Sequence, residues 1–173
     1  MIKNIALGLG FVGLIVLSLF IYHTSFATKV VYIDIPKVFN RFELKTELQE
    51  KYKKVESGRK RIIDSLEFNL QIMSKKLQSN QNDKELMYEF DVKREEYFKR
   101  KNMIDQDNVS LSNQYDKQIL ERMTLYIVEY GKKNKLDIIM GADGNGVLMY
   151  ANEKYDKSEE IITYINKKYK GIE

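Results

Sequence analysis

The stretch "LDIIMGADGNGVLMYAN", residues 136–152, predicts two short strands joined by a glycine-rich turn. Its two ends, "LDIIM" and "VLMYA", are rich in β-branched and large apolar residues, and "GADGNG" between them is typical of a hairpin turn. Because a two-stranded ribbon is not stable alone, this hairpin must pack against other elements. The stretch therefore predicts a small β body near the end of the chain.

The same turn resembles a calcium loop in composition, but its spacing argues against one. A helix–loop–helix calcium site needs acidic residues at loop positions 1, 3, 5 and 12, and glycine at position 6. With Gly146 at position 6, Gly141 and Asn152 fall at the first and last ligand positions, where carboxylates are required. We therefore expect a structural turn, with no metal site and no cofactor.

Another candidate strand lies far upstream. The stretch "KVVYIDI", residues 29–35, is β-branched and aromatic, which favours a strand. Pro36, two residues after Asp34, predicts that a short helical turn begins there. Because this strand must meet the distant hairpin, the residues between them form an insertion that extends from the body.

The sequence of this insertion predicts a long antiparallel helical hairpin resembling a coiled coil. Residues 43–78 contain no proline, and their apolar residues recur four and three apart. The polar "SNQND", residues 79–83, predicts the tip, and the return helix is expected over residues 84–133, ended by Gly131. The predicted seam positions are Leu48, Tyr52, Val55, Arg59, Ile62, Leu66, Asn69 and Met73, then Leu86, Phe90, Lys93, Tyr97, Arg100, Ile104, Asn108, Leu111 and Tyr115.

Several of these seam positions are polar, where a tight coiled coil has aliphatic residues. The polar residues either specify register, with long stems lying along the seam, or leave the arm loosely packed with apolar surface available to another molecule. Large apolar residues off the seam suit adaptable contacts with many partners, although single exposed ones need no explanation. The candidate contact residues are Phe68, Tyr88, Phe98 and Met103.

Residues 51–76 form the most basic part of the chain. They include only three acidic residues, Glu56, Asp64 and Glu67. The excess of positive charge indicates either a solvated helix face or attraction to an acidic partner, such as anionic lipid or an acidic polypeptide. The eight basic residues of this patch are Lys51, Lys53, Lys54, Arg59, Lys60, Arg61, Lys75 and Lys76.

The last element predicted is a short amphipathic helix in "YDKSEEIITYINKKY", which would cover the small sheet. Its N-terminus is expected to be capped either by a capping box of Asp156 and Glu159 or by Ser158. The predicted apolar face consists of Ile161, Ile162, Ile165 and Tyr169.

The N-terminus predicts an apolar helix that is a signal peptide or a membrane anchor. Its apolar run, residues 5–22, is longer than the ~7–15 residues usual in a signal peptide and shorter than the ~20 of a membrane span. Lys3 is the only charged residue before Lys29 and would stay on the cytoplasmic side, so the rest of the chain is expected to be exported. An uncleaved segment would tether the protein to the inner membrane.

The sequence therefore predicts an α+β fold with a helical hairpin inserted between the strands of a small β body. Residues 1–27 are the targeting segment, residues 41–133 the arm, and residues 28–40 with 134–173 the body. A body of this size is marginal alone, and its open sheet edges invite pairing with other copies. We expect it to oligomerise.

Two long stretches resemble the Skp (OmpH-type) periplasmic chaperone family. They are "KVVYIDIPKVFNRF" and, after a charged hairpin, "LDIIMGADGNGVLMYANEKYDKSEEIITYIN". The resemblance implies a homotrimer whose strands form a central β-barrel, with the hairpins as arms around a cavity. It also implies that the cavity holds unfolded outer-membrane proteins and prevents their aggregation without ATP.

The chain departs from that family in its charge. Only Lys3 of the 29 basic residues precedes Thr28, and all 25 acidic residues follow it, so the exported part carries a net charge of +3. Family members are expected to be more basic, which weakens the case for electrostatic capture of clients. The long apolar run at the N-terminus is the second departure.

Two functions remain open at this point. The first is a holdase chaperone, and the alternative is a membrane-anchored coiled-coil scaffold or assembly factor of the cell envelope. We do not expect an enzyme, because the exported part lacks cysteine and histidine, His23 being in the N-terminal segment, and has no phosphate loop. Mixed charge and the export signal argue against nucleic-acid binding.

Overall fold

The computed structural model describes residues 28–172 of the chain. In chain order the elements are β1 (Val30–Asp34), α1 (Ile35–Arg41), α2 (Glu43–Ser79), α3 (Lys84–Lys133), β2 (Ile138–Ala142), a 3-10 helix (Glu153–Tyr155) and α4 (Ser158–Tyr169). A long helical hairpin inserted between two strands, followed by a short C-terminal helix, is the predicted fold class. The predicted N-terminal apolar helix lies outside the described residues.

The two strands pair in parallel, from Val30 opposite Ile138 to Asp34 opposite Ala142. Parallel neighbours need a long crossover connection, and here the hairpin of α2 and α3 provides it. At the start of the pair, the Lys29 main-chain N–H donates to the Asp137 carboxylate at 2.6 Å. The strand pairing therefore brings both ends of the arm back to one place.

The hairpin predicted after α3 is wrong. Residues 147–151 form no strand, because the chain turns at Gly144 and Gly146, where φ is 80° and 89°. It then crosses to the other edge of β1, where the Lys157 N–H donates to the Tyr32 carbonyl at 2.9 Å. Crossing to that edge brings α4 onto the sheet, and it leaves the segment 147–151 without a place beside β2.

The short helix α1 begins as predicted. The Asp34 carboxylate accepts a hydrogen bond from the Lys37 N–H at 2.8 Å, and Pro36 lies in the first turn, where its missing N–H has no cost. The helix ends at Phe42, a fully buried residue whose extended backbone separates α1 from α2. The Phe42 ring meets Tyr126 and Tyr169 edge-on, with centroids 6.2 and 5.7 Å away.

A side chain from α4 caps the break between α1 and α2. The Asn166 amide oxygen accepts from the Glu43 N–H at 2.9 Å, and its amide nitrogen donates to the Arg41 carbonyl at 3.0 Å. These are backbone groups at helix ends, which have no partner within their own helices. Since no side chain of the junction itself caps α2, Asn166 holds the arm at the body.

The N-terminus of α4 differs from the predicted capping box. The Asp156 carboxylate does accept from the Ser158 N–H at 2.7 Å, but Glu159 does not complete the box. Glu159 forms ion pairs with Lys37 and Arg41 of α1, because α4 lies directly against that helix. The fully buried Ser158 hydroxyl accepts from the Asp34 N–H at 2.9 Å, so the same turn joins α4 to β1.

The predicted apolar face of α4 is confirmed at its three isoleucines. Ile161, Ile162 and Ile165 are buried, and Tyr169 is half-buried against Phe42. Tyr164 is buried as well and was not predicted, because its ring packs edge-on against Tyr130 of α3 rather than against the sheet. The core of the protein is therefore at the body and the base of the arm.

The predicted apolar seam positions of α3 are all at least partly buried, but two of those on α2 are not. Val55 and Ile62 are 38% and 45% exposed, whereas Ile63 and Leu70 are partly buried. The partly buried residues of α2 still recur every seven positions, at Arg59, Leu66 and Met73 and at Ile63, Leu70 and Leu77. On α2 the predicted seam positions Leu66 and Met73 are therefore correct, whereas the other contact row lies one residue later than predicted, at Ile63 and Leu70.

One polar pair does lie in the seam. Arg59 donates to the Asn108 side-chain oxygen at 2.6 Å, and its guanidinium lies 3.8 Å from the Asp107 carboxylate. This pair fixes the register of α2 against α3 in the way that polar seam residues do. The other predicted polar seam residues, Asn69, Lys93 and Arg100, are exposed instead.

Gly131 does not end α3, contrary to the prediction. The helix continues to Lys133, and the left-handed residue that follows is Lys135, with φ 53°. Gly131 is buried where β2 crosses α3, and a Cβ atom there would lie 3.1 Å from Ile139. The glycine permits this close approach of strand and helix.

Two tyrosines join α4 to the arm through carboxylates. The Tyr130 hydroxyl donates to Glu160 at 2.9 Å, and the Tyr169 hydroxyl donates to Glu47 of α2. Burial, followed by the Glu160 carboxylate, raises the pKa of Tyr130 to about 12. The hydrogen bond to Glu47, followed by burial, raises the pKa of Tyr169 to about 12.

These raised pKa values predict a loss of stability in alkali. Both tyrosines hold their protons more tightly in the folded state, so their contribution is complete below pH 10 and is lost as pH rises toward 12. Tyr130→Phe with Tyr169→Phe should cost about 0.5–1.5 kcal/mol per hydrogen bond at pH 7 and should flatten the decline above pH 10. Urea unfolding at a series of pH values measures both effects. An unchanged alkaline decline in the double variant would contradict the assignment.

Candidate functional site

The arm carries many exposed large apolar side chains along both of its helices. Its two helices meet along a narrow seam, so neither helix covers the flanks of the other. Exposed large apolar side chains in such number mark interaction sites more often than isolated ones do. The exposed residues are Val55, Ile62, Phe68 and Ile72 on α2 and Met87, Tyr88, Val92, Phe98, Met103, Val109, Leu120, Leu125 and Val128 on α3.

All four predicted contact residues are exposed on the arm. Tyr88 is 73% exposed near the tip, Phe68 is 61% exposed, Phe98 55% and Met103 45%. They do not share one face. Phe98 and Met103 are five residues apart and point about 140° apart around α3, and Phe68 lies two residues from the seam residue Leu66, on roughly the opposite side of α2. The apolar surface is therefore distributed around the arm.

Of these four residues, Met103 lines an open groove of the arm. The groove, called the arm groove below, has a volume of about 300 Å³ and opens between α2 and α3. Its other lining residues are Ile62, Leu66, Glu96, Lys99 and Arg100. Ile62 was not predicted as a contact residue, because the predicted repeat placed it in the seam, where the structure has Ile63 instead.

Three further open grooves lie along the molecule. One, of about 420 Å³, separates the sheet from α3 and is lined by Ile35, Ile127, Leu136, Ile139 and their neighbours. A second, of about 240 Å³, lies at the base of the arm between Tyr52 and Tyr115. The third, of about 690 Å³, lies at the tip between Ile72 and Leu86. Each is an open surface depression.

The eight residues of the predicted basic patch lie at different heights on α2. From Lys51 to Lys76 the helix rises about 38 Å, and Lys75 and Lys76 line the groove at the tip. Lys51 pairs with Glu47 at 2.6 Å and Lys60 with Asp64 at 2.9 Å. These hydrogen bonds raise the pKa of both lysines, as expected for cations with carboxylate partners.

Three of the eight basic residues are therefore engaged within the arm itself, since Arg59 is bonded to Asn108. Lys53, Lys54 and Arg61 are exposed around the middle of α2. The positive charge accompanies the apolar side chains along the helix rather than forming one compact site. Whether this charge attracts a partner stays a prediction.

The glycine-rich turn after β2 closes on itself. The Asp143 carboxylate accepts from the Asn145 N–H at 2.9 Å and from the Asn145 side chain at 3.1 Å. These hydrogen bonds lower the pKa of Asp143, the one to the backbone contributing most. Over residues 28–172, no group of three or more histidine or acidic side chains is arranged to hold a metal ion.

In the described part of the chain, no helix is long and apolar enough to span a membrane. The predicted signal peptide or anchor, residues 1–27 with its apolar run 5–22, lies outside those residues.

Comparison with known proteins identifies the family. The OmpH-like outer membrane protein family matches residues 29–165. The chain belongs to the OmpH-like family. A solved structure from Caulobacter crescentus CB15, described as a proposed OmpH-like outer membrane chaperone, superimposes with a TM-score of 0.72 at 9% identity, over 82% of this chain and 86% of that one. At that identity the similarity establishes the fold alone. No curated protein matches the chain.

The OmpH-like match begins at the residue before β1 and ends within α4. It therefore includes both the body and the whole arm, and it confirms the resemblance noted in the sequence. Membership of the OmpH-like family also supports the prediction that the chain is not an enzyme.

Proposed function

We propose that the protein is an ATP-independent holdase chaperone of the periplasm, which binds unfolded outer-membrane proteins and prevents their aggregation. The observation that carries this proposal is the set of exposed apolar side chains around the arm. Unfolded membrane proteins expose apolar segments that have no partner in water, and burial of such surface is favourable by roughly 25 cal/mol per Å². A distributed arm surface suits clients of many sequences.

Many weak contacts explain how such a chaperone works without ATP. Each exposed side chain of the arm covers a small part of a client, and connected contacts add their effects because each holds the next segment nearby. Any single contact is broken easily, so a client leaves when its own folding competes with the arm. The main proposed contacts are Phe68, Tyr88, Phe98 and Met103.

The basic patch is proposed to assist encounter. Lys53, Lys54 and Arg61 lie exposed beside the apolar side chains of the arm, and positive charge increases the rate at which acidic segments reach a surface. The exported part has a net charge of only +3, so this contribution is smaller than the apolar one.

We further propose that the body, residues 28–40 and 134–173, forms a homotrimer. Within one chain, β1 is flanked by β2 and by residues 156–157, whereas the outer edge of β2 has no strand beside it in the part the structure describes. In the segment that follows β2, Val147, Met149 and Tyr150 are 74%, 87% and 83% exposed. An open edge and an exposed apolar segment in the same body support pairing between copies.

The trimer predicts a mass of about three chains of 20.5 kDa each in sedimentation equilibrium. Val147→Ser with Met149→Ser and Tyr150→Ser should shift the equilibrium toward the single chain, because it removes apolar surface that only a second copy would cover. Ile172→Ser, a change at a residue 66% exposed elsewhere on the body, is the matched control. A wild-type protein that stays monomeric at all concentrations would exclude the trimer.

The proposed location is the periplasm, and tethering by residues 5–22 is an extension of that proposal. Support comes from the apolar run and from Lys3, which would remain on the cytoplasmic side. Alkaline extraction of membranes separates a cleaved, released protein from a tethered one.

The holdase is tested by diluting a urea-unfolded outer-membrane β-barrel protein with and without the purified protein and following light scattering. We expect suppression of aggregation, with the client kept soluble and not folded. Replacing Phe68, Tyr88, Phe98 and Met103 together by serine should weaken client binding on the order of tenfold, because several partly buried contacts are lost.

The control for that variant replaces exposed polar arm residues, Gln71, Gln78, Gln106 and Gln114, by serine. It changes the same number of arm side chains without removing apolar surface, so it should suppress aggregation as the wild type does. Unchanged aggregation with folded, oligomeric wild-type protein would reject the holdase and favour the scaffold for one folded partner.

A further inference from the structure

The arm groove combines apolar and charged side chains. Ile62 and Leu66 lie one turn apart on α2, and Met103 faces them from α3, so an apolar side chain of a partner can be covered from both helices. The volume of about 300 Å³ is at the lower end of the ~300–1,000 Å³ typical of ligand pockets. The groove has room for a short segment of a partner.

The charge at this groove is unbalanced. Glu96 is paired with Lys93 at 3.1 Å, so its charge is already compensated. Lys99 and Arg100 also line the groove, and over residues 28–172 the structure assigns neither of them an ion-pair partner. Two uncompensated cations therefore lie beside three apolar side chains.

This combination selects a particular chemistry. Arginine and lysine bind carboxylates through charge-assisted hydrogen bonds, and the arginine fork can hold both oxygens of one carboxylate. An apolar surface beside them binds a large apolar side chain. A segment that offers only one of these groups uses only half of the groove.

We infer that the arm groove binds client segments in which an aspartate or glutamate side chain stands beside large apolar residues. This inference rests on the proposed holdase function and specifies which segments the arm prefers. Strands of membrane barrels alternate apolar and polar residues, so an acidic residue flanked by apolar ones is a frequent pattern in such clients. We infer binding of side-chain carboxylates and not of the C-terminal carboxylate, because an unfolded client has many acidic side chains and only one C-terminus.

The test measures binding of two fluorescent peptides to the full-length protein by anisotropy. Both peptides are amidated at the C-terminus and alternate Leu and Phe with a polar residue, which is Asp in one peptide and Asn in the other. The Asp peptide is expected to bind about fivefold more tightly, the size expected for ion pairs at exposed sites. The preference should decrease with salt.

Lys99→Gln with Arg100→Gln should abolish the preference, leaving both peptides with the affinity of the Asn peptide. Met103→Gln should weaken both peptides equally, because it changes the apolar lining alone. Circular dichroism verifies that each variant is folded. The matched control is Lys84→Gln with Lys101→Gln, which removes the same charge from the same helix at positions that do not line the groove; it should keep the preference.

Three results would overturn the inference. The first is equal affinity for the Asp and Asn peptides. The second is a control variant that loses the preference as fully as the groove variant does, which would indicate a response to total charge. An Asn peptide with a free C-terminal carboxylate that matches the Asp peptide would reassign the groove to chain ends. If wild-type protein in the same preparation suppresses client aggregation but shows no preference, this inference fails alone; if it does neither, the proposed function fails too.

Discussion

The parallel pairing of β1 with β2 is the constraint on which the rest of the structure depends. It joins residues more than a hundred positions apart, beginning where the Lys29 N–H meets the Asp137 carboxylate. Closing so long a connection costs entropy, and the cost grows only slowly with length. The chain can therefore carry a 37-residue and a 50-residue helix between its two strands without losing the body.

The body compensates for its small sheet by placing α4 across it. Ile161 and Ile165 have no exposed surface, Ser158 bonds to β1, and Asn166 caps the junction between α1 and α2. One short helix thus covers the sheet and also orients the arm. Beyond that base the arm has only its own narrow seam, which leaves apolar side chains in water along most of its length. Stability and the proposed binding surface therefore belong to different parts of the molecule.

Elements governed by local rules could be predicted from the sequence. The end of the first strand and the start of α1 followed from Asp34 and Pro36, and the hairpin tip followed from the polar residues 79–83. Features set by contacts distant in sequence could not. Gly131 was predicted to end α3 because helices often end at glycine, whereas its role is to let Ile139 approach α3. The segment 147–151 has the composition of a strand. It forms none, because the chain leaves β2 at the glycine turn and crosses to the other edge of β1 before α4 begins.

The exposure of the candidate contact residues could be predicted from the sequence, whereas the arm groove could not. Phe68, Tyr88, Phe98 and Met103 are exposed because they lie off the seam, which the spacing indicates. Ile62 was assigned to the seam, although Ile63 is the partly buried residue there, and so the arm groove was missed. Lys99 and Arg100 line that groove together because α2 packs against α3 there, and this packing is not visible in the sequence of α3 alone.

The most direct test of the central claim is where an unfolded client touches the protein. The chain contains no cysteine, so a single cysteine carrying a photo-crosslinker can be introduced at Phe98 or Met103 of the arm, or at Ile172 of the body. All three side chains are exposed, at 55%, 45% and 66%. The account predicts strong crosslinks from both arm positions to an unfolded barrel protein and weak ones from Ile172. Crosslinks from Ile172 as strong as those from the arm would contradict it.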